Sequence, residues 1–204
     1  MTPRDIVLAQ LDHRETHPVP YSLGFEGDTA EQLDAYYGTP AWRDRLVPYL
    51  KTIGGIDTVQ QTRVDETHFR DAYGSLWRDD RRPWHLVEPV LSAPSLEGYT
   101  LPGVERFLPD VAAAQEAARA ACAAHPDSFQ VIGLGWGLFE HSWRIRGFET
   151  ALMDAVAEPD FYAALLDALT ERYLEFVAIW ANVPADAIMF GDDWGYQQGV
   201  ILRS

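Results

Sequence analysis

The residues best placed for chemistry stand near the end of the chain, where the apolar run Ala187-Ile188-Met189-Phe190 passes through Gly191 into Asp192-Asp193-Trp194-Gly195. Adjacent residues leaving a strand point to opposite faces, so one carboxylate can enter a pocket mouth while the other braces the loop. Both aspartates could equally cap the next loop or helix. A second group, Glu140, His141, Trp143 and Arg144, puts a carboxylate, an imidazole and a guanidinium within five residues, the parts of a proton shuttle and an anion clamp. Local ion pairing would use the same residues. Glu26 and Asp28 follow an expected strand as polar substrate contacts or solvated rim charges, and Trp136, Trp143 and Trp194 could wall a flat apolar ligand or simply pack the rim. His13, His17, His68 and His85 lack metal-ligand spacing, and the single Cys122 lies in an alanine-rich helical stretch as a buried apolar residue, so no metal is expected in this chain.

The elements that must hold these residues can be read from periodicity. Thr2-Pro3 caps a short helix over residues 2–13, and the alternating run Pro18 to Phe25 predicts a first strand with Glu26 in the loop after it. Helices are expected from Asp28 to Tyr36 and from Pro40 to about Leu50, and a second strand near Ile56 to Thr62. Tyr73 to Arg78 and His85 to Glu88 read as a hairpin around Asp79-Asp80-Arg81-Arg82-Pro83. A helix from Val104 or Pro109 to Ala124 precedes a glycine-rich third strand, Phe129 to Gly137. Leu138 to Arg146 then reads as a loop, followed by helices at Phe148–Val156 and Pro159–Ala181 and a fourth strand at Ala187–Phe190. The long helix carries Tyr162, Leu166, Leu169, Tyr173, Phe176, Val177 and Trp180 on one stripe, the mark of a helix that covers a sheet.

Strands separated by helices imply parallel pairing, so the class is α/β. Either a doubly wound sheet or part of a (β/α) barrel satisfies the pattern. Gly133-Leu134-Gly135-Trp136-Gly137 has the wrong spacing for a dinucleotide fingerprint. The 204 residues, 47% hydrophobic and 12% aromatic, suit one globular domain. A net charge of −15 argues against nucleic-acid or anionic-membrane partners, and the absence of a long apolar run or leader pattern makes a cytoplasmic protein the expectation.

The opening Met1-Thr2-Pro3-Arg4-Asp5-Ile6-Val7-Leu8-Ala9-Gln10-Leu11-Asp12-His13-Arg14-Glu15 with Pro18-Val19-Pro20 resembles the start of uroporphyrinogen decarboxylase superfamily proteins. It looks most like the branch that includes corrinoid-linked methyltransferases. Asp71-Ala72-Tyr73-Gly74-Ser75-Leu76-Trp77, the glycine-rich third strand, and Gly191-Asp192-Asp193-Trp194-Gly195 with Gln198 and Gly199 come in the same order. The resemblance implies a partial (β/α)8 TIM barrel, about its first four β/α units, with a β-hairpin insertion and a site at the C-terminal strand ends. A full barrel runs to roughly 250 residues, so the chain is expected to be a fragment, a short product, or a half-barrel that pairs with a second copy or another subunit.

The implied function is methyl transfer between a small substrate and a corrinoid or thiol. Alternatives are uroporphyrinogen-type decarboxylation, or a non-catalytic half-barrel. Decarboxylases of the family carry an arginine-rich loop where this chain has Gly24-Phe25-Glu26-Gly27-Asp28, and Trp143 stands where they have a tyrosine. Zinc, and a corrinoid protein as partner, are implied only for a complete protein. Asp192, Asp193 and His141 are the expected catalytic residues. Glu26, Trp136, Trp143, Arg144, Trp194 and Gln198 are the expected substrate contacts.

Overall fold

A computed structural model describes residues 1–25, 28–56 and 61–201. Helix α1 (Pro3–Leu11) starts in a reciprocal capping box, the Asp5 amide donating to Thr2 Oγ1 at 3.1 Å and the Thr2 amide to the Asp5 carboxylate at 2.9 Å. Its buried Ile6 and Val7 pack on Tyr49, Phe129 and Val131, and Arg4 pairs with Asp186 at 2.5 Å. Asp186 also accepts the Gln130 amide at 2.8 Å, so one carboxylate ties α1 to two strands. Helix α2 (Thr29–Tyr37) ends on Gly38 in the left-handed conformation, and a 3₁₀ turn follows at Pro40–Arg45.

Strand β1 (Leu50–Gly55) leads into an antiparallel sheet formed by β2 (Thr62–Arg63), β3 (His68–Arg70), β4 (Leu76–Arg78) and β5 (His85–Glu88), in that order. The expected hairpin is its β4–β5 half. Helices α3 (Val104–Phe107) and α4 (Val111–Ala124) return the chain to β6 (Phe129–Trp136). Helices α5 (Leu138–Arg146), α6 (Phe148–Ala157) and α7 (Pro159–Trp180) then lead to β7 (Ala187–Gly191), and β8 (Gly195–Tyr196) and β9 (Gly199–Val200) form a terminal ribbon.

β1, β6 and β7 make a parallel sheet in that order, advancing along the chain without reversal. One face buries Ile53, Ile132 and Leu134 with Ile188 against Leu169, Phe176 and Trp180 of α7 and Ala118 and Cys122 of α4. This is the principal core. α1 covers the opposite face around Phe129 and Val131, while Thr52, Gly135 and Met189 nearer the strand ends stay exposed. Among the described residues neither β1 nor β7 has a partner on its outer edge.

Four expectations change. Residues 18–25 form no strand: Pro18 and Pro20 have no amide to give a ladder, and Tyr21 instead stacks edge-on to Tyr49 and accepts the Val47 amide. Among the described residues the parallel sheet accordingly has three strands, not four. The second strand lies earlier than expected, at Leu50–Gly55, because the helical turn stops at Arg45 before Pro48; residues 57–60 of the expected strand lie outside the described residues. The expected loop 138–146 is helix α5.

The sheet tolerates no side chain at Gly55, where a Cβ would lie 2.1 Å from the Gly133 carbonyl oxygen, itself the acceptor of the Ile56 amide. At Gly191 an added Cβ meets nothing within 4 Å. Gly55→Ala is therefore expected to destabilise the chain by about 3 kcal/mol, as severe overpacking does, while Gly191→Ala leaves the urea midpoint nearly unchanged.

Candidate active site

Helix α5 has an unusual origin for its order. Its N-terminal neighbour Gly137 offers no side-chain cap, and the cap arrives from β7: the Asp192 carboxylate accepts the Phe139 amide and the Glu140 amide, each at 2.9 Å. A negative side chain there also complements the helix dipole. Gly137 is what admits it, since a Cβ at that position would lie 2.6 Å from the Asp192 carboxyl carbon. Asp192 thus braces the ends of β6 and β7 against each other, a positioning role.

Helical spacing then sorts α5 into two faces. Glu140 and Trp143 turn to an open cleft of about 810 Å³, walled also by Phe139, Phe148, Tyr196 and Ile201, with Asp193 on its rim. Phe148 stands edge-on to Trp143, centroids 5.9 Å apart and planes at 81°, and to Phe139 at 6.4 Å and 68°. Next to the cleft a smaller, wholly apolar hollow of about 170 Å³ shares Phe139 and Ile201 with it and adds Leu138, Tyr162, Leu166 and Trp194. Asp193 holds its own turn by accepting the Gly195 amide at 3.2 Å. Burial and the nearby Asp192 carboxylate push the Glu140 carboxyl above the usual range.

The inward face carries His141 and Arg144, both with no exposed surface. The Arg144 guanidinium lies 3.9 Å from the Trp136 ring centre and 4.9 Å from that of Trp77, with Asp71 at 3.9 Å. Asp71 is committed to the Tyr73, Gly74 and Ser75 amides and the Trp77 indole. Burial raises the Asp71 carboxyl and lowers the Arg144 guanidinium, as expected of a loosely paired couple out of water. Burial and the Arg144 charge hold the His141 imidazole down at about 3, so it is neutral. Its neighbours are the rings of Tyr73, Tyr173 and Trp136.

The expected site residues therefore divide. Asp192, Asp193, Trp143 and Trp194 gather at the strand ends. Gln198 sits exposed in the β8–β9 ribbon. His141 and Arg144 form a sealed layer beneath the cleft with the half-buried Trp136 of β6, neither shuttle nor clamp on its surface, because α5 is a helix and turns the two of them inward. Glu26 lies outside the described residues. Phe139 and Phe148 are site residues that the sequence does not single out while 138–146 is read as a loop; the i, i+1, i+4 spacing of Phe139, Glu140 and Trp143 points to that face once the segment is helical.

Among the described residues no group of three or more His, Cys, Asp or Glu could hold a metal ion. Cys122 is buried on α4, its carbonyl bound by Gln130 near the start of β6, away from the strand ends. The cleft's carboxylates and aromatic rings do not fit the His and Cys set expected for zinc in the corrinoid methyltransferases. No helix among the described residues is long and apolar enough to cross a membrane. No family model, curated protein or solved structure matches the chain.

Two measurements test this geometry. Asp192→Ala is expected to cost about 1–2 kcal/mol through loss of the cap, seen as a lower thermal midpoint, whereas Asp193→Ala shifts it little. His141 is neutral in the fold with its pKa depressed to about 3 from an ordinary 6.5, so the unfolded chain binds the extra proton and stability falls as pH drops below 6.5 toward 3. In His141→Phe the slope of urea-derived stability against pH over that window should flatten.

Proposed function

We propose that this chain is a (β/α)-barrel unit of the uroporphyrinogen decarboxylase superfamily, nearer to its corrinoid-linked methyltransferases than to its decarboxylases, and that the cleft at the ends of β6 and β7 takes a small substrate. The order β1-β6-β7, advancing without reversal, is the order an arc of a barrel requires and is shared by one half of a doubly wound sheet. Active sites of barrels stand at the C-terminal strand ends, where Asp192, Asp193, Glu140 and Trp143 meet.

One observation carries the choice between the activities. Among the described residues the charged side chains lining the cleft are Glu140 and Asp193, both carboxylates, and Arg144, a candidate anion contact in the sequence, is sealed from it. A polycarboxylate would be repelled there, and the net charge of −15 reinforces this at long range. A neutral or cationic substrate is favoured. Glu140 and Asp193 hold it, Trp143 and Phe148 wall it, and Asp192 positions the helix that carries Glu140; the methyl acceptor, a corrinoid or a thiol, is supplied from outside the cleft. A non-catalytic half-barrel closed by a second copy or another chain is the second reading, favoured by the open outer edges of β1 and β7.

The test is to give the purified protein cob(I)alamin with a panel of N-, O- and S-methylated small compounds, and separately uroporphyrinogen. Methylation of cobalt, read from the visible spectrum, and a fall of at least about tenfold in kcat/KM for Glu140→Gln are the expected results; a tenfold fall is the loss of one charged contact worth about 1.4 kcal/mol. Decarboxylation of uroporphyrinogen would overturn the reading. So would inertness in both assays, and a stoichiometric dimer by light scattering would then establish the half-barrel alternative.

A further inference from the structure

The cleft has a chemical character more specific than its charge. Phe148 presents its ring nearly at right angles both to Trp143 and to Phe139, so three aromatic walls meet around the outward side of α5 where Glu140 stands. Aromatic faces carry partial negative charge, and a cation near them is attracted most strongly when it is partly desolvated. Carboxylates at the same opening add to that attraction.

The hydrogen-bond inventory narrows the cation. Both oxygens of Asp192 are taken by the Phe139 and Glu140 amides, and one of Asp193 by the Gly195 amide, which leaves Glu140 and the other Asp193 oxygen to balance a cation. A primary ammonium brings three strongly hydrated N–H donors, which rings and an apolar hollow do not serve. A quaternary ammonium brings none, and its methyl groups pack on rings. The wholly apolar hollow beside the cleft, which shares Phe139 and Ile201 with it, gives a short alkyl substituent a place to bury.

We propose, on the reading that this cleft is the substrate site, that its ligand is a small quaternary ammonium compound with a short apolar tail, caged by Phe139, Trp143 and Phe148 and balanced by Glu140 and Asp193. The groups facing Glu140 are Asp192 and Asp193 from the end of β7, Arg144 from its own helix, and Tyr173 from α7. Since Glu140 ionises later than an ordinary carboxyl, the cation is bound more tightly as pH rises through that titration.

Butyltrimethylammonium, titrated into the protein and followed by calorimetry and tryptophan fluorescence, is the probe, with its uncharged carbon isostere, 2,2-dimethylhexane, and butylammonium as comparisons. The expected result is saturable binding, at least about tenfold tighter than either comparison and weakened about fivefold or more by Trp143→Leu and by Glu140→Gln, with thermal midpoints confirming that both variants fold. Glu140→Gln should also abolish the pH dependence. Equal binding of the isostere, tighter binding of butylammonium, or no saturable binding would overturn the proposal. The two readings fail separately: cobalt methylation from uncharged donors without ammonium binding sinks this inference alone, and ammonium binding without methylation sinks the methyl-transfer reading alone.

Discussion

The contact on which the rest of the site depends is the Asp192 carboxylate against the first turn of α5. Helix starts leave amides without partners, and α5 begins on a glycine with no side chain to serve them. A carboxylate reaching across from the next strand does what a local cap would do, and it also fixes the distance between the ends of β6 and β7. With α5 anchored, the helical period alone decides that Glu140 and Trp143 face outward and His141 and Arg144 inward.

The inward side is costly chemistry made tolerable by geometry. A guanidinium without exposed surface would be strongly disfavoured on its own, but Arg144 is held between the indoles of Trp136 and Trp77 with Asp71 at 3.9 Å. Asp71 in turn organises the turn from Tyr73 to Ser75, and Ser75 Oγ donates to the Arg144 carbonyl oxygen at 2.7 Å while accepting the Val90 amide at 3.0 Å. The antiparallel sheet is therefore docked onto α5 through the same residues that keep the cation buried. The sealed layer is a joint between the two sheets, and among the described residues the charged side chains left to the cleft above it are carboxylates.

Much of the framework was legible from the chain. The capping box of α1, the β4–β5 hairpin, the apolar stripe of α7 and the strands β6 and β7 all follow from local pattern, because each element's period matches the face it buries. The errors fell where local and long-range preferences disagree. Pro18 to Phe25 alternates like a strand yet is studded with prolines that cannot enter a ladder. Leu138 to Arg146, with a glycine before it and Trp, His and Ser within it, has weak helical preference of its own and becomes helical under a cap 52 residues away in sequence.

What the amino-acid order determined by itself was the class of fold, a parallel sheet under helices with carboxylates at the close of a strand, because hydrophobic period and strand termini are local properties. It also set the excess of negative charge that governs which ligands can approach. What only tertiary structure decided was the role of each polar residue: Asp192 spent on helix amides, Arg144 and His141 shut away, Glu140 left facing solvent among aromatic rings. Those assignments rest on which partner comes within hydrogen-bonding distance and which surface loses water, and both are set by segments far apart in the chain.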